Sequence, residues 1–273
     1  MSAPKILSTG RCLPHRIVTN EELSRQVDTN DEWVFSRTGI HQRHFCDGES
    51  GLDLALGSAR QALDRAGLKA EDIGVCLVAT FTPEYASPSM ACLVQKELGL
   101  REDTLCFDLN AACAGFLYGM KTAHALLADS PRPYALLIGC EVISRVLDMT
   151  DRNTCVLFGD GAGAAVLRRD EEASWHTVFG SRGDPESIWV QGPGPEPSAV
   201  HMEGKAVFRF AVEVVEQSIR QMLAEEGCDI NDLDLVVCHQ ANARIIDHVA
   251  KKLKAREGLF YKNMDRYGNT SAA

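Results

Sequence analysis

Short apolar runs and amphipathic stretches alternate along this chain, and their order predicts strands and helices in turn. The opening stretch MSAPKILSTGRCLP reads as a first strand and lacks the apolar core of a secretion signal. Thr19-Asn-Glu-Glu-Leu has the form of a capped helix start. Apolar positions from Leu52 to Ala66 recur with helical period and stop at Gly67; those from Ser89 to Leu98 stop at Gly99. Between these helices, Ile73 to Thr80 (IGVCLVAT) is apolar enough for a buried strand. The stretch from Thr104 to Met120 (TLCFDLNAACAGFLYGM) starts as a strand, turns at Asn110 and continues uncharged as a helix. That helix is expected to be buried on every side, with Cys113 in its first turn. A strand over Tyr134–Gly139 follows, and Cys155 to Leu167 reads as strand, glycine turn and strand.

Beyond Arg168 the pattern restarts. A Gly/Pro-rich excursion at Gly192 leads to a helix from about Val207 to Glu226, a strand over Leu233–His239 and a helix starting at Asn242. A strand near Gly258 to Met264 is expected next, and the closing Asn-Thr-Ser-Ala-Ala has the form of a helix start. Alternating strands and helices predict an α/β layer architecture. The restart suggests duplicated halves, residues 1–168 and 169–273, the second incomplete at its C-terminal end, although no strong internal repeat is visible.

Composition narrows the partners. The 273 residues carry a net charge of -10, which argues against nonspecific nucleic-acid binding while leaving room for a local basic patch. No apolar run is long enough to span a membrane. The ten cysteines are scattered, form no Cys-x-x-Cys pair and mostly sit in apolar runs, a pattern of reduced thiols in a cytoplasmic protein. No cluster of Cys, His and acid has metal-ligand spacing, so no metal is expected.

Three side chains have the chemistry for acyl transfer. Cys113 at a helix start would meet unpaired N–H groups and the positive helix dipole, which favour the thiolate; a small buried core cysteine is the alternative. His239 closes an apolar run at a strand-to-helix junction, where α/β sites tend to open, although a strand-end histidine can also be structural. Asn269, between Gly268 and Thr270, is most simply a turn or cap residue. Together the three could hold an acyl group on sulfur and stabilise an oxyanion. Trp33 and Arg37, four residues apart, share one helix face, as ordinary packing or as a clamp for a nucleotide. The glycines of Gly159-Asp-Gly-Ala-Gly lack the Gly-x-Gly-x-x-Gly spacing of a phosphate loop and instead suggest a hairpin or a close backbone contact.

The segments Ala111-Ala-Cys113-Ala-Gly-Phe, Gly159-Asp-Gly-Ala-Gly-Ala-Ala-Val-Leu, His239-Gln-Ala-Asn-Ala-Arg-Ile-Ile and Tyr267-Gly-Asn-Thr-Ser-Ala-Ala resemble the β-ketoacyl-[acyl carrier protein] synthase III family. So does Asp28-Thr-Asn-Asp-Glu-Trp33-Val-Phe-Ser-Arg37-Thr-Gly-Ile, and the resemblance runs from about residue 4 to the last residue. It implies a thiolase-like fold and a decarboxylative condensation that starts fatty-acid synthesis, with no cofactor beyond the thioester substrates. Cys113 would take the acyl group of an acyl-CoA, and His239 and Asn269 would stabilise the enolate of malonyl-acyl carrier protein. Trp33 and Arg152 would sandwich the CoA adenine, with Arg37 near its phosphates. Gln240, Ala241, Asn242, Ala243 and Arg244, with Arg209, Lys251 and Lys252, would face the acidic carrier protein. A homodimer is implied as well.

Two departures stand out. Family members often carry a bulky aromatic before the proline of Ala86-Ser87-Pro88, where it shortens the partner's acyl pocket; Ser87 here implies primers longer or more branched than acetyl. Family members also continue past Asn-Thr-Ser-Ala-Ala through a helix, closing strands and a glycine-rich loop that completes an oxyanion hole. The resemblance therefore implies a longer natural protein, impaired activity or stability for the 273 residues alone, and residues missing near Gly192. The rival readings are a secondary-metabolism condensing enzyme or acyltransferase of the same fold and a non-catalytic acyl-binding paralogue. Hydroxymethylglutaryl-CoA synthase fits less well, because its general acid has no counterpart.

Overall fold

The computed structural model describes residues 2–172, 175–192 and 199–273. In chain order its elements are β1 (Ala3–Cys12), β2 (Arg16–Thr19), α1 (Asn20–Leu23), α2 (Asp31–Thr38), β3 (Gln42–Phe45), α3 (Gly51–Ala66), β4 (Ile73–Ala79), α4 (Met90–Leu98) and β5 (Leu105–Leu109). They continue with α5 (Gly115–Leu126), β6 (Tyr134–Glu141), β7 (Gly161–Asp170), β8 (Ile188–Trp189), β9 (His201–Met202), α6 (Gly204–Glu226), α7 (Ala243–Leu253) and α8 (Met264–Tyr267).

A five-stranded mixed sheet in the order β1-β7-β6-β4-β5 forms the centre. β4 runs parallel to both β5 and β6, whereas β7 is antiparallel to β1 and β6. Every residue of β4 is buried, as expected of a strand covered on both faces. On one face α3 and α4 bury Leu54, Ala59, Ala62, Met90 and Val94 against Cys76, Val78, Leu136 and Ile138. On the other face Ala123, Leu127, Phe116 and Met120 of the α5 region pack on Val75, Leu77 and Leu137. A separate cluster joins α6 and α7 through Val212, Ile219, Ile246, Val249 and Leu253, with Ile40 reaching in from the first half.

Helix starts follow the capping expectations. Thr19, Asn30, Ser50 and Ser89 each accept a backbone N–H with their side-chain oxygen, and α2, α3 and α4 end on left-handed Gly39, Gly67 and Gly99.

Four expectations need correction. The α5 helix is not buried all round. It presses a small-residue stripe (Gly115, Gly119, Ala123) onto the sheet, while Leu117 on the opposite side is 61% exposed. Leu233–His239 is an extended segment rather than a strand; its one ladder contact is the parallel bridge Val236–Phe260, and Leu235 and Val237 point outward. Among the described residues nothing else pairs with it, and ladder bonds are what define a strand. The strand expected near Gly258–Met264 shrinks to the same bridge, and α8 takes over at Met264. Before Gly159 the chain turns instead of forming a hairpin arm: Thr154 and Cys155 both bond back to the Asp151 carbonyl, and Phe158 bridges Asn269. The expected close backbone contact is present there, because a Cβ on Gly159 would collide with the Tyr267 carbonyl. The excursion at Gly192 falls largely on residues 193–198, outside the described residues.

Arg43 on β3 ties these parts together. It is fully buried, and its guanidinium donates to the Val18 and Val156 carbonyls at 3.2 and 2.6 Å and to Asn20 Oδ1 at 2.8 Å. Burial pulls its pKa down to about 10, which still leaves the group charged at neutral pH. Removing the donor would strand three buried acceptors at a cost of about 1 kcal/mol or more apiece. Arg43→Ala should therefore lower the unfolding free energy by about 3 kcal/mol. Urea titration checks this, and a loss under about 1 kcal/mol would mean that Arg43 is not a staple.

Candidate functional site

Cys113 is delivered by a constrained turn. β5 ends at Leu109, and Asn110 Oδ1 accepts the Ala112 N–H at 3.1 Å. Ala112 then adopts φ 45°, a left-handed value that costs a non-glycine residue about 1 kcal/mol or more. The result is a short 3₁₀ turn, Ala112–Ala114, which runs directly into α5. Cys113 thus occupies the turn preceding the α-helix proper, half-buried.

His239 and Ser271 reach Cys113 from the other half of the chain, and Asn269 lies two residues before Ser271. Asn269 is buried and held by two backbone bonds, its N–H to the Leu157 carbonyl at 2.8 Å and its carbonyl to the Gly159 N–H at 3.0 Å. Its Oδ1 accepts the Ser271 N–H at 2.9 Å, which fixes the amide orientation and leaves Nδ2 as the donor end. His239 is exposed as a residue, and its ring hydrogen-bonds Cys113.

The thiol and the imidazole perturb each other. Burial pushes the Cys113 thiol up; the charge of His239 and hydrogen bonds from His239, Ser271 and the cysteine's own N–H outweigh it and bring the thiol below its ordinary value. For His239, burial favours the neutral ring, but the charge and hydrogen bond of Cys113 prevail and raise its pKa. Such a pair favours thiolate with imidazolium, the activated form of a nucleophilic cysteine. Ser271, at φ 57°, has a buried hydroxyl with no conventional hydrogen-bond partner among the described residues, and it faces the Cys113 sulfur.

The other sequence candidates divide. Arg37 and Arg152 both stack on the Trp33 indole, at 4.4 and 4.7 Å from the ring centroid, and Arg152 also donates to the Asp28 carbonyl at 2.7 Å. At that spacing Arg152 touches the indole directly, so a ring could enter between them only if Arg152 swings aside. Ser87 is exposed on the segment between β4 and α4. Of the basic-face group, Arg209, Arg244, Lys251 and Lys252 are exposed on α6 and α7, and Lys251 and Lys252 line a surface cleft with His248. Gln240 and Asn242 are committed internally. Gln240 bonds Cys238, Tyr261 and Asn263, and Asn242 caps α7 while donating to the Arg37 carbonyl at 3.0 Å. Ala243 packs on Gly39, and Ala241 is half-buried.

Sequence reasoning missed Ser271 and Glu141. Ser271 sits two residues past Asn269, and its serine was legible only as part of a turn. Glu141 is the charge that ends an otherwise apolar strand, a signal available in the sequence and passed over.

Comparisons with known proteins identify the family. The sequence model of 3-oxoacyl-[acyl-carrier-protein] synthase III matches residues 107–183, and the model of its C-terminal part matches residues 223–273. A β-ketoacyl-[acyl-carrier-protein] synthase III of Clostridium botulinum is 42% identical over 100% of this chain and 87% of its own length. The chain belongs to the β-ketoacyl-[acyl-carrier-protein] synthase III family.

Solved structures bear out the thiolase-like fold of that family. The synthase III of Aquifex aeolicus superposes with a TM-score of 0.88 at 37% identity, covering 99% of this chain and 87% of the other. That of Pseudomonas aeruginosa gives 0.91 at 36%, covering 99% and 86%. The priming β-ketosynthase of the R1128 polyketide pathway also gives 0.91, at 32% identity, covering 99% and 84%. Among the described residues no helix is long and apolar enough to cross a membrane.

The directions of the two pKa shifts predict how the site titrates. Alkylation of Cys113 by iodoacetamide, followed by peptide mass spectrometry, should rise through a midpoint below that of an ordinary thiol. In His239→Ala the midpoint should move upward, because the favourable charge is lost while burial remains. An unchanged midpoint would mean that the two side chains do not interact.

Proposed function

We propose that this chain catalyses decarboxylative condensation of an acyl-CoA primer with malonyl-acyl carrier protein, giving a β-ketoacyl-acyl carrier protein at the start of fatty-acid synthesis. The mutual perturbation of Cys113 and His239, with Ser271 at the same sulfur and the Asn269 amide fixed by the Ser271 N–H, is the observation that carries the reading. The Cys113 thiolate attacks the primer thioester carbonyl, the tetrahedral intermediate collapses, and CoA leaves as a thiolate that takes up a proton. Acylation removes the negative charge that raises His239, so the imidazole reverts to a neutral donor. His239 and Asn269 Nδ2 then hydrogen-bond the malonyl thioester oxygen while carbon dioxide departs, and the enolate carbon attacks the acyl-Cys113 carbonyl, releasing the thiolate. No metal or prosthetic group is required in this scheme.

Recognition follows from the surface. Trp33 with Arg152 receives the CoA adenine after Arg152 swings off the indole, and Arg37 meets the phosphates. Arg209, Arg244, Lys251 and Lys252 form the positive patch for an acidic carrier protein on a chain of net charge -10, with Gln240 to Ala243 shaping its base. The reading divides the chain near residue 168 into a half carrying the nucleophile and a half carrying His239 and Asn269. The separate α6–α7 core supports that division. The ten free cysteines suit a reducing cytoplasm. A homodimer is proposed through β5, the parallel edge strand whose Leu105 is 44% exposed; a two-fold axis would pair β5 with its copy and bury that edge.

A second reading, a priming condensing enzyme of secondary metabolism, draws on the polyketide neighbour and on Ser87, whose small side chain leaves room for larger primers.

Incubation with acyl-CoA and intact-mass spectrometry should show one acyl adduct, lost in Cys113→Ala. His239→Ala and Asn269→Ala should still acylate but lose malonyl decarboxylation by about a hundredfold. Six-carbon or branched primers should acylate faster than acetyl; strict acetyl preference would remove the Ser87 argument. Absence of any adduct would sink the reading. Sedimentation should show a dimer that Leu105→Lys weakens, and a monomeric wild type would refute the β5 interface.

A further inference from the structure

Glu141 is the buried ionisable group that the proposed chemistry leaves unused. It ends β6 at 1% exposure, and four donors converge on its carboxylate. Thr82 Oγ1 donates to Oε2 at 2.6 Å and Thr80 Oγ1 at 3.2 Å, the Thr82 N–H reaches Oε2 at 3.2 Å, and the Phe81 N–H reaches Oε1 at 3.2 Å. Each hydroxyl also accepts a backbone N–H, Thr82 Oγ1 from Val142 at 2.9 Å and Thr80 Oγ1 from Thr82 at 3.1 Å, which leaves its O–H to donate to the carboxyl group.

The corner so held, Thr80-Phe81-Thr82, lies between the two halves of the reactive site. On one side the Thr80 N–H bonds the Leu109 carbonyl at 3.1 Å, just where β5 turns toward Cys113. Ala79, one residue earlier, packs close to Gly115 at the start of α5. On the other side Phe81 packs with Phe158 and Leu157, the residues that bracket the Asn269 backbone. Behind Glu141, a Cβ on Gly139 would collide with the Ala272 carbonyl, so β6 also supports the Asn269–Ala272 segment.

We infer that Glu141 is a positioning residue: by fixing the Thr80–Thr82 corner it sets the separation of Cys113 from His239, Asn269 and Ser271. This rests on the proposed function only for which reaction it serves; the geometry it governs stands apart. Burial pushes the Glu141 carboxyl up to about 8, and Cys113 lies near enough to add to that rise. Two effects therefore act on the thiol with opposite signs. Glu141 gains its negative charge only as the pH passes about 8, and that charge disfavours the thiolate, whereas its hold on the corner keeps Cys113 against His239 and Ser271, which favour it.

Thr82→Val separates them. It keeps the Glu141 carboxyl and removes the hydroxyl that bridges Glu141 to the Val142 N–H. The alkylation-versus-pH profile of Cys113 should move up by about one unit or more in Thr82→Val, since a pair held about an ångström out of place loses much of its coupling. Thr82→Ser should return to within about twofold of the wild-type rate at each pH, because the bridging hydroxyl is restored. Thr80→Val, which removes a weaker bond, should shift the profile the same way but less, and serves if Thr82→Val does not fold. Glu141→Gln should also shift the profile up if the hold on the corner dominates. A profile unmoved in Thr82→Val and Thr80→Val, or moved down in Glu141→Gln, overturns the proposal. Because alkylation needs no substrate, this result is independent of whether wild type forms an acyl adduct. A wild type that never acylates sinks the synthase reading alone.

Discussion

The site depends on one backbone contact, the pinning of Asn269 between Leu157 and Gly159. Two main-chain hydrogen bonds hold it, and the absence of a side chain at Gly159 lets the Tyr267–Gly268 backbone come that close. From this contact Ser271, two residues on, is presented to Cys113, although more than 150 residues of sequence separate the two. Arg43 holds the near side by taking the Val156 carbonyl, and β6 holds the far side by receiving Ala272 over Gly139. Backbone bonds and excluded volume fix position more tightly than side-chain contacts alone. A site that must keep an amide and a thiol in register is well served by them.

The thiol itself is balanced between opposing effects. Burial raises its pKa, and His239, Ser271 and the cysteine's own N–H lower it; the net direction is down. The left-handed Ala112 stores strain of about 1–3 kcal/mol, and the Asn110 Oδ1 bond to its N–H is what sustains it. The strain turns the chain sharply enough for the sulfur to meet a ring arriving from the opposite half. The same logic explains the two threonine hydroxyls that donate to Glu141. A carboxyl group kept out of water needs its polar atoms met by hydrogen bonds.

Much of this was legible in the sequence. Gly67 and Gly99 marked helix ends, and the unbroken apolar run of Ile73–Ala79 marked the central strand, because local caps and burial on both faces leave local signatures. Cys113, His239 and Asn269 stood out through the motifs around them. What failed was non-local. Leu233–His239 has the composition of a strand, but a strand also needs a ladder partner, and composition does not reveal one. The first turns of α5 are uncharged on every side, yet only the face carrying Gly115, Gly119, Ala123, Phe116 and Met120 packs on the sheet, and Leu117 stays exposed. Gln240 and Asn242 looked like surface polar groups, and only the fold shows that their amides are already engaged. Glu141 could not be interpreted without knowing that Thr80 and Thr82 would return to meet it.

The amide of Asn242, bonded to the Arg37 carbonyl while it caps α7, has a mechanical consequence. Together with the tight seat of Ala243 against Gly39, it welds the last turn of α2 to the first turn of α7. The indole-and-arginine stack and the row of surface cations are therefore mounted on one rigid strut. A displacement of either helix end would be passed to the other as through a shared beam.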